Sequence, residues 1–174
     1  MPDARSGNCN GRTQGGSNAE IVIADAFVKG LPNIDYHLAL EAMLKDATIP
    51  PGGNEETEGR GGLIPYLELG YIPYGIPRAG NRTIEYSYCD YAIALVAKGL
   101  GKTDLYQQYL KQSSNWKNLW RADYEHAGVK GFILPRDKEG NWLDKIPFGN
   151  SHIQKPTFTY TPVTFEGPWY TPWW

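Results

Sequence analysis

Thr83-Ile84-Glu85-Tyr86-Ser87-Tyr88-Cys89-Asp90-Tyr91-Ala92-Ile93-Ala94-Leu95-Val96-Ala97-Lys98 is the stretch that decides the fold class. It predicts a helix from Thr83 to about Lys98, ended by Gly99 and Gly101. Thr103 then caps a further helix to about Ser113, with Leu105, Tyr106, Tyr109 and Leu110 on one face. So short a link makes the two a packed pair.

The same arrangement is repeated upstream. Ser17-Asn18-Ala19-Glu20 has the spacing of a capping box, and the helix it starts runs to about Lys29 and stops at Gly30. Apolar residues from Ile21 to Val28 cover nearly its whole circumference, which predicts burial on all sides. A second helix, about Ile34 to Ala47, carries the stripe Tyr36, Ala39, Leu40, Met43 and Leu44. Pro50-Pro51 ends that pair. Residues 51 to 62 read as a polar Gly/Glu loop, in which Gly59-Arg60-Gly61-Gly62 is a flexible turn. Leu63 to Leu69 is a candidate short helix.

Beyond Trp116 the pattern changes. Phe132-Ile133-Leu134 and Trp142-Leu143 flank Arg136 to Asn141 as a small β-hairpin. Residues 145 to 174 are Pro- and Thr-rich, extended and aromatic. The fold class expected is mainly α, with helical hairpins forming part of an (α/α) barrel or a solenoid. The helices are too few to close a barrel. Residues 1–174 therefore read as part of a larger domain, incomplete at both ends.

At 174 residues the chain has room for one core. A net charge of −2 offers no footprint for nucleic acid or anionic lipid, and no apolar run is long enough to span a bilayer. Six Trp and twelve Tyr suit stacking on sugar faces, and they equally suit a large aromatic core. Cys9 and Cys89 lack metal-ligand spacing, as do His37, His126 and His152. No metal site is argued from these residues. The N-terminus lacks the apolar core of a signal peptide.

Several acids invite a catalytic reading. Glu85 and Asp90 lie on one helix but point about 140° apart, so they do not share a site. Asp90 is read as structural, bonded to a neighbouring backbone group, and Glu85 as a first-turn acid favoured by the helix dipole. Asp25 sits in the most apolar helix and reads as a buried tie, with Arg12 a candidate partner. Gly99-Leu100-Gly101-Lys102-Thr103 imitates a phosphate loop, but Val96 replaces the first Gly and a helix precedes it. Asn81-Arg82-Thr83 is a glycosylation sequon set hard against a helix start. Asn115-Trp116 reads as a helix end packed by a ring.

Glu166 stands apart. It lies in Phe165-Glu166-Gly167-Pro168-Trp169-Tyr170, stiffened by Gly167-Pro168 and followed by Pro172-Trp173-Trp174. A carboxyl among rings loses hydration, which raises its pKa towards the range of a general acid. The plainer reading of the same residues is an aromatic edge strand with a solvent-facing Glu.

Four motifs in order carry a family resemblance. Gly11-Arg12-Thr13-Gln14-Gly15-Gly16-Ser17-Asn18 runs into Ala24-Asp25-Ala26-Phe27-Val28-Lys29-Gly30. Ile84 to Tyr91, Ser114-Asn115-Trp116-Lys117-Asn118-Leu119 and Phe165-Glu166-Gly167-Pro168-Trp169 follow. Together they resemble glycoside hydrolase family 92, the exo-acting α-mannosidases, across essentially the whole chain. The resemblance implies a calcium-dependent, inverting hydrolase of terminal α-mannose on glycans. Its architecture would be an (α/α)6 barrel beside a β-sandwich, in a secreted or periplasmic protein. It implies that Glu166 is the general acid and Trp169 a substrate-binding ring. The catalytic base and the calcium ligands would lie outside this chain. The sequence departs from the family just after the acid: many members read Glu-Gly-Asn-Ala-Trp-Gln-Tyr, against Glu166-Gly167-Pro168-Trp169-Tyr170-Thr171 here. A different class of function stays open at this point, a non-catalytic carbohydrate-binding helical module that stacks sugars on Trp169, Trp173 and Trp174.

Overall fold

The computed structural model describes residues 18–52, 59–76, 78–126 and 128–143. Helix α1 is Ala19–Val28, α2 Tyr36–Thr48, α3 Leu63–Leu69, α4 Ala79–Gly99 and α5 Thr103–Gln112. A 3-10 helix, Asn115–Leu119, leads into strands β1, Trp120–His126, and β2, Val129–Ile133. The architecture is mainly helical, as the periodicity predicted, with α1–α2 and α4–α5 as two short-linked pairs.

The helix ends show why these boundaries are sharp. After α1, Gly30 is left-handed, and the N–H groups of Gly30 and Leu31 reach back to the carbonyls of Phe27 and Ala26. After α4, left-handed Gly101 and Lys102 do the same with Lys98 and Ala97. Both are Schellman closures, and both fall on glycines that the sequence marked. At the start of α2, the Asp35 side chain accepts from the backbone N–H groups of His37 and Leu38 at 3.1 and 3.0 Å. The hydroxyl of Tyr36 lies 2.9 Å from the carbonyls of Ala26 and Leu31 and clasps the α1–α2 turn. Its ring meets Phe27 edge-on at 4.9 Å.

α4 is the central element. Small residues Ala92, Ala94 and Ala97 let α1, α2 and α5 approach it closely. Together with Ala24, Leu40, Met43, Ile93, Val96 and Tyr109 they form the main core. At Gly99 the backbone lies so close to the Phe27 ring that a Cβ would overlap it. A second core gathers Leu63, Tyr66, Ile72, Ala79 and Tyr86 around α3 and the start of α4.

Some expectations are corrected. α1 is not buried on all sides: among the described residues it packs one face, while Val22 and Val28 remain exposed. Asp25 is exposed and pairs with Lys29 one turn on, at 2.7 Å, instead of tying down a loop from a buried position. Ser17, the cap of the expected capping box, lies outside the described residues, and Glu20 is in the first turn of α1. It is buried and faces Arg60. α4 starts four residues earlier than predicted, because Gly80 and Asn81 are accommodated inside its first turn. Glu85 is consequently in the second turn, out of reach of a first-turn role. Thr83 is no cap. Its hydroxyl donates to Ala79 O and accepts from Ile72 N–H, at 2.8 and 2.9 Å. The sequon Asn81-Arg82-Thr83 is thereby buried.

The hairpin also differs from the prediction. Its ladder pairs Trp120 with Ile133, Arg121 with Phe132, Glu125 with Lys130 and His126 with Val129, with a bulge between Arg121 and Glu125. The predicted segment Arg136 to Asn141 forms only one bridge, Arg136 to Trp142. There the Arg136 guanidinium stacks 3.8 Å from the Trp142 ring centroid. Asp137 closes the turn by accepting from the Asn141 backbone and side chain at 2.8 and 3.0 Å.

Candidate functional site

The sequence placed the chemistry on Glu166 and Trp169, and both lie outside the described residues. So do Arg12, Cys9 and His152. Two other features emerge within the described residues, a buried ionic hub and an open aromatic groove.

The hub is built on Arg60, from the Gly-rich stretch that read as a flexible turn. Its guanidinium is only 1% exposed and is shared by three helices. Nη1 donates to Asp90 Oδ1 on α4 at 2.7 Å, and Nη2 donates to Glu20 Oε1 on α1 at 3.3 Å. Nε lies 3.8 Å from Asp46 Oδ2 on α2. The face of the cation rests 5.1 Å from the Tyr86 ring centroid. Tyr66, on α3, donates to the other oxygen of Asp90 at 2.8 Å. A planar fork with fixed donors suits this multi-way bridging, whereas an ammonium offers only a point charge.

The electrostatics follow from burial. Desolvation alone would lower the Arg60 pKa, but Asp90 and Glu20 overcome it and hold the group well above its usual value. Burial, and then the charge of Asp90, raises Tyr66 well above the ordinary phenol range, so its proton stays in the bond to Asp90. Burial likewise raises Tyr86, and it pushes Tyr109 up to about 12. Asp90 is structural, as read from the sequence, but its partners are side chains and not a neighbouring backbone group. A local pattern could not supply them, since Arg60 is thirty positions away.

The hub also bears on calcium. The acids that converge here already surround a guanidinium, and among the described residues no group of three or more His, Cys, Asp or Glu could hold a metal ion. The residues described do not fit a calcium site, and no step is derived through one.

The groove lies where α4 meets the end of α5 and the 3-10 helix. It encloses about 330 Å³ and is lined by Ile84, Ser87, Tyr88, Tyr91, Ser113 and Trp116. Tyr88 and Tyr91 are 54% and 43% exposed. None of the lining residues carries a carboxylate, so the groove by itself has no acid–base pair. Sequence reading found Trp116 as a helix-end ring, and it does meet Trp120 edge-on at 6.4 Å. That it shares a concavity with Tyr88 and Tyr91 depends on how α5 folds back.

Comparison with known proteins places these linked helical pairs and their appended hairpin. The glycosyl hydrolase family 92 catalytic domain matches residues 1–171. The chain belongs to glycoside hydrolase family 92. A protein of the fungus Arthroderma benhamiae, named an uncharacterized secreted glycosidase, is 44% identical over 169 residues, covering 88% of this chain and 22% of that protein. An inverting mannosidase of family 92 from Bacteroides thetaiotaomicron superposes with a TM-score of 0.72 at 33% identity, covering 84% of this chain and 19% of that one. A family 92 α-mannosidase from the same bacterium, solved with mannoimidazole, superposes with a TM-score of 0.63 at 32% identity over 77% of this chain and 16% of its own. The chain thus spans about a fifth of the length of these relatives.

Proposed function

We propose that this chain is part of the catalytic domain of an α-mannosidase that removes terminal α-linked mannose from glycans with inversion, and that Glu166 is its general acid. The observation that carries this reading is the family match, which runs through Glu166. The names of two structural relatives, an inverting mannosidase and an α-mannosidase solved with mannoimidazole, support the sugar and the stereochemistry. The paired helices support an assignment to a portion of an (α/α)6 barrel.

In this reading Glu166 gives its proton to the glycosidic oxygen as the bond to the anomeric carbon breaks. A second carboxylate, supplied by sequence outside the chain, takes a proton from water on the opposite face of the ring. Inversion needs the two carboxyls roughly 6.5–9.5 Å apart to admit that water. Trp169 offers a ring on which the sugar stacks. Calcium, where the full domain uses it, is held by residues other than those described. The secreted name of the fungal relative supports export. Among the described residues no helix is long and apolar enough to cross a membrane.

The test uses a longer protein that carries this segment within a complete family 92 domain. Glu166→Gln lowers kcat on mannobiose by about 10²–10⁴-fold with KM little changed. A dinitrophenyl α-mannoside, whose leaving group needs no proton, keeps most of its rate. Near-normal mannobiose turnover by the variant removes Glu166 from the acid role.

A further inference from the structure

The chain carries one Asn-x-Ser/Thr sequon, Asn81-Arg82-Thr83, and the fold encloses all of it. Ala79, Gly80, Asn81, Arg82 and Thr83 begin α4, and all five are buried. A helix turns about 100° per residue, so five consecutive buried positions leave no side of this turn open to solvent. Asn81 is 4% exposed and Thr83 0%. Further chain packed on these helices in a complete domain can only lower those values.

The chemistry of the modification sets what the fold must offer. Asparagine Nδ2 bonds to the anomeric carbon of a lipid-linked oligosaccharide, the lipid diphosphate leaves with the electron pair, and the amide gives up one proton. Transfer needs Nδ2 in the open and a turned chain that brings the Thr hydroxyl to the Asn side chain. In α4 those two side chains point about 200° apart. The Thr83 hydroxyl is already committed, donating to Ala79 O at 2.8 Å and accepting from Ile72 N–H at 2.9 Å. The unfolded chain has none of these obstacles. During synthesis the sequon also precedes α5, against which α4 packs, so it emerges before its helix can be held in place.

We propose that glycosylation of Asn81 and folding of α4 exclude each other: the unfolded chain is an acceptor, the folded chain is not, and a sugar attached first keeps the start of α4 open. A saccharide on Nδ2 must lead out to water. Asn81 reaches water only when its turn unpacks, which breaks the bond from Ile72 to Thr83 and pulls Ala79 out of the second core. The folded, exported protein therefore carries Asn81 bare. This inference stands on the burial of the sequon and is independent of the role of Glu166.

The experiment sends the full 174-residue chain, fused behind an export leader, through the secretory pathway of a yeast. It is run with and without tunicamycin, which blocks assembly of the lipid-linked donor, and beside Asn81→Gln. The tunicamycin arm keeps the wild-type sequence, so it does not depend on how a buried position accepts a substitution. Mass spectrometry of the Asn81 peptide reads occupancy in the secreted and the retained pools. The glycan is expected in the retained pool and absent from the secreted one, with the secreted yield raised several-fold in either arm. Secreted protein that bears the glycan and melts like bare chain made in a bacterium overturns the proposal. A bare Asn81 in both pools overturns it as well, since the unfolded chain is then no acceptor, and so does a secreted yield unchanged in both arms.

Discussion

Arg60 Nη1 stands 2.7 Å from Asp90 Oδ1, and both side chains are 1% exposed. This contact joins the α2–α3 connection to the middle of the central helix. Because Glu20 and Asp46 face the same cation, one side chain holds α1, α2 and α4 in fixed relation.

Removing that cation strands buried carboxylates. Arg60→Met is expected to cost about 3–5 kcal/mol in urea unfolding, the usual penalty for breaking one side of a buried pair. Arg60→Lys should lose much of the same, since an ammonium cannot bridge several acids through a fork. Replacing the set together, Arg60→Met with Glu20→Met and Asp90→Leu, should recover most of the stability. A loss below about 1 kcal/mol for Arg60→Met would show that the hub contributes little.

Alkaline pH should unfold the protein in a defined window. Tyr66, Tyr86 and Tyr109 all have pKa values raised by burial. A group raised in the folded state contributes stability that is complete below its unfolded pKa, about 10 for Tyr, and is lost above it. The melting temperature should therefore hold up to about pH 10 and fall steadily from there through about 12, the value for Tyr109. A flat profile across that interval contradicts the burial of these phenols.

The contact between α1 and α4 has no room at Gly99. Gly99→Ala places a methyl against the Phe27 ring. An overpacked contact of this type costs about 1–3 kcal/mol. Phe27→Leu in the same chain should relieve part of it, so a double-mutant cycle is expected to show favourable coupling. Strict additivity would mean that the two helices separate freely.

Hydrolysis should be absent from the 174-residue chain alone. The proposed reaction draws its base from sequence outside the chain, and inversion needs both groups. Incubation with 4-nitrophenyl α-mannoside is expected to release no nitrophenol above the rate of the Glu166→Gln variant. Release that depends on Glu166 would place a working base within these residues.

Some of this was legible in the residues themselves. The presence of the helices, the glycines after α1 and α4 and the short links between partners are local signals that neighbours in sequence revealed, whereas they did not reveal the burial of α1 or the start of α4. The hairpin region shows the limit of such signals. Arg136 to Asn141 does close an antiparallel turn with one bridge, but Phe132 and Ile133 pair upstream with Arg121 and Trp120 instead. On the candidate site, sequence motifs singled out Glu166 and Trp169, which lie outside the described residues, and missed Arg60 altogether. Its only trace was a lone Arg in a Gly run and acids on three helices that otherwise pack apolar faces.

Sequence by itself determined the helical class, the pairing of helices and the kinship to family 92, because these depend on spacing within a few turns or on motifs in order. Tertiary structure alone decided which acids are buried, what neutralises them and where an aromatic groove opens. Those properties belong to residues thirty and forty positions apart, and no local spacing encodes how close chain folding brings them.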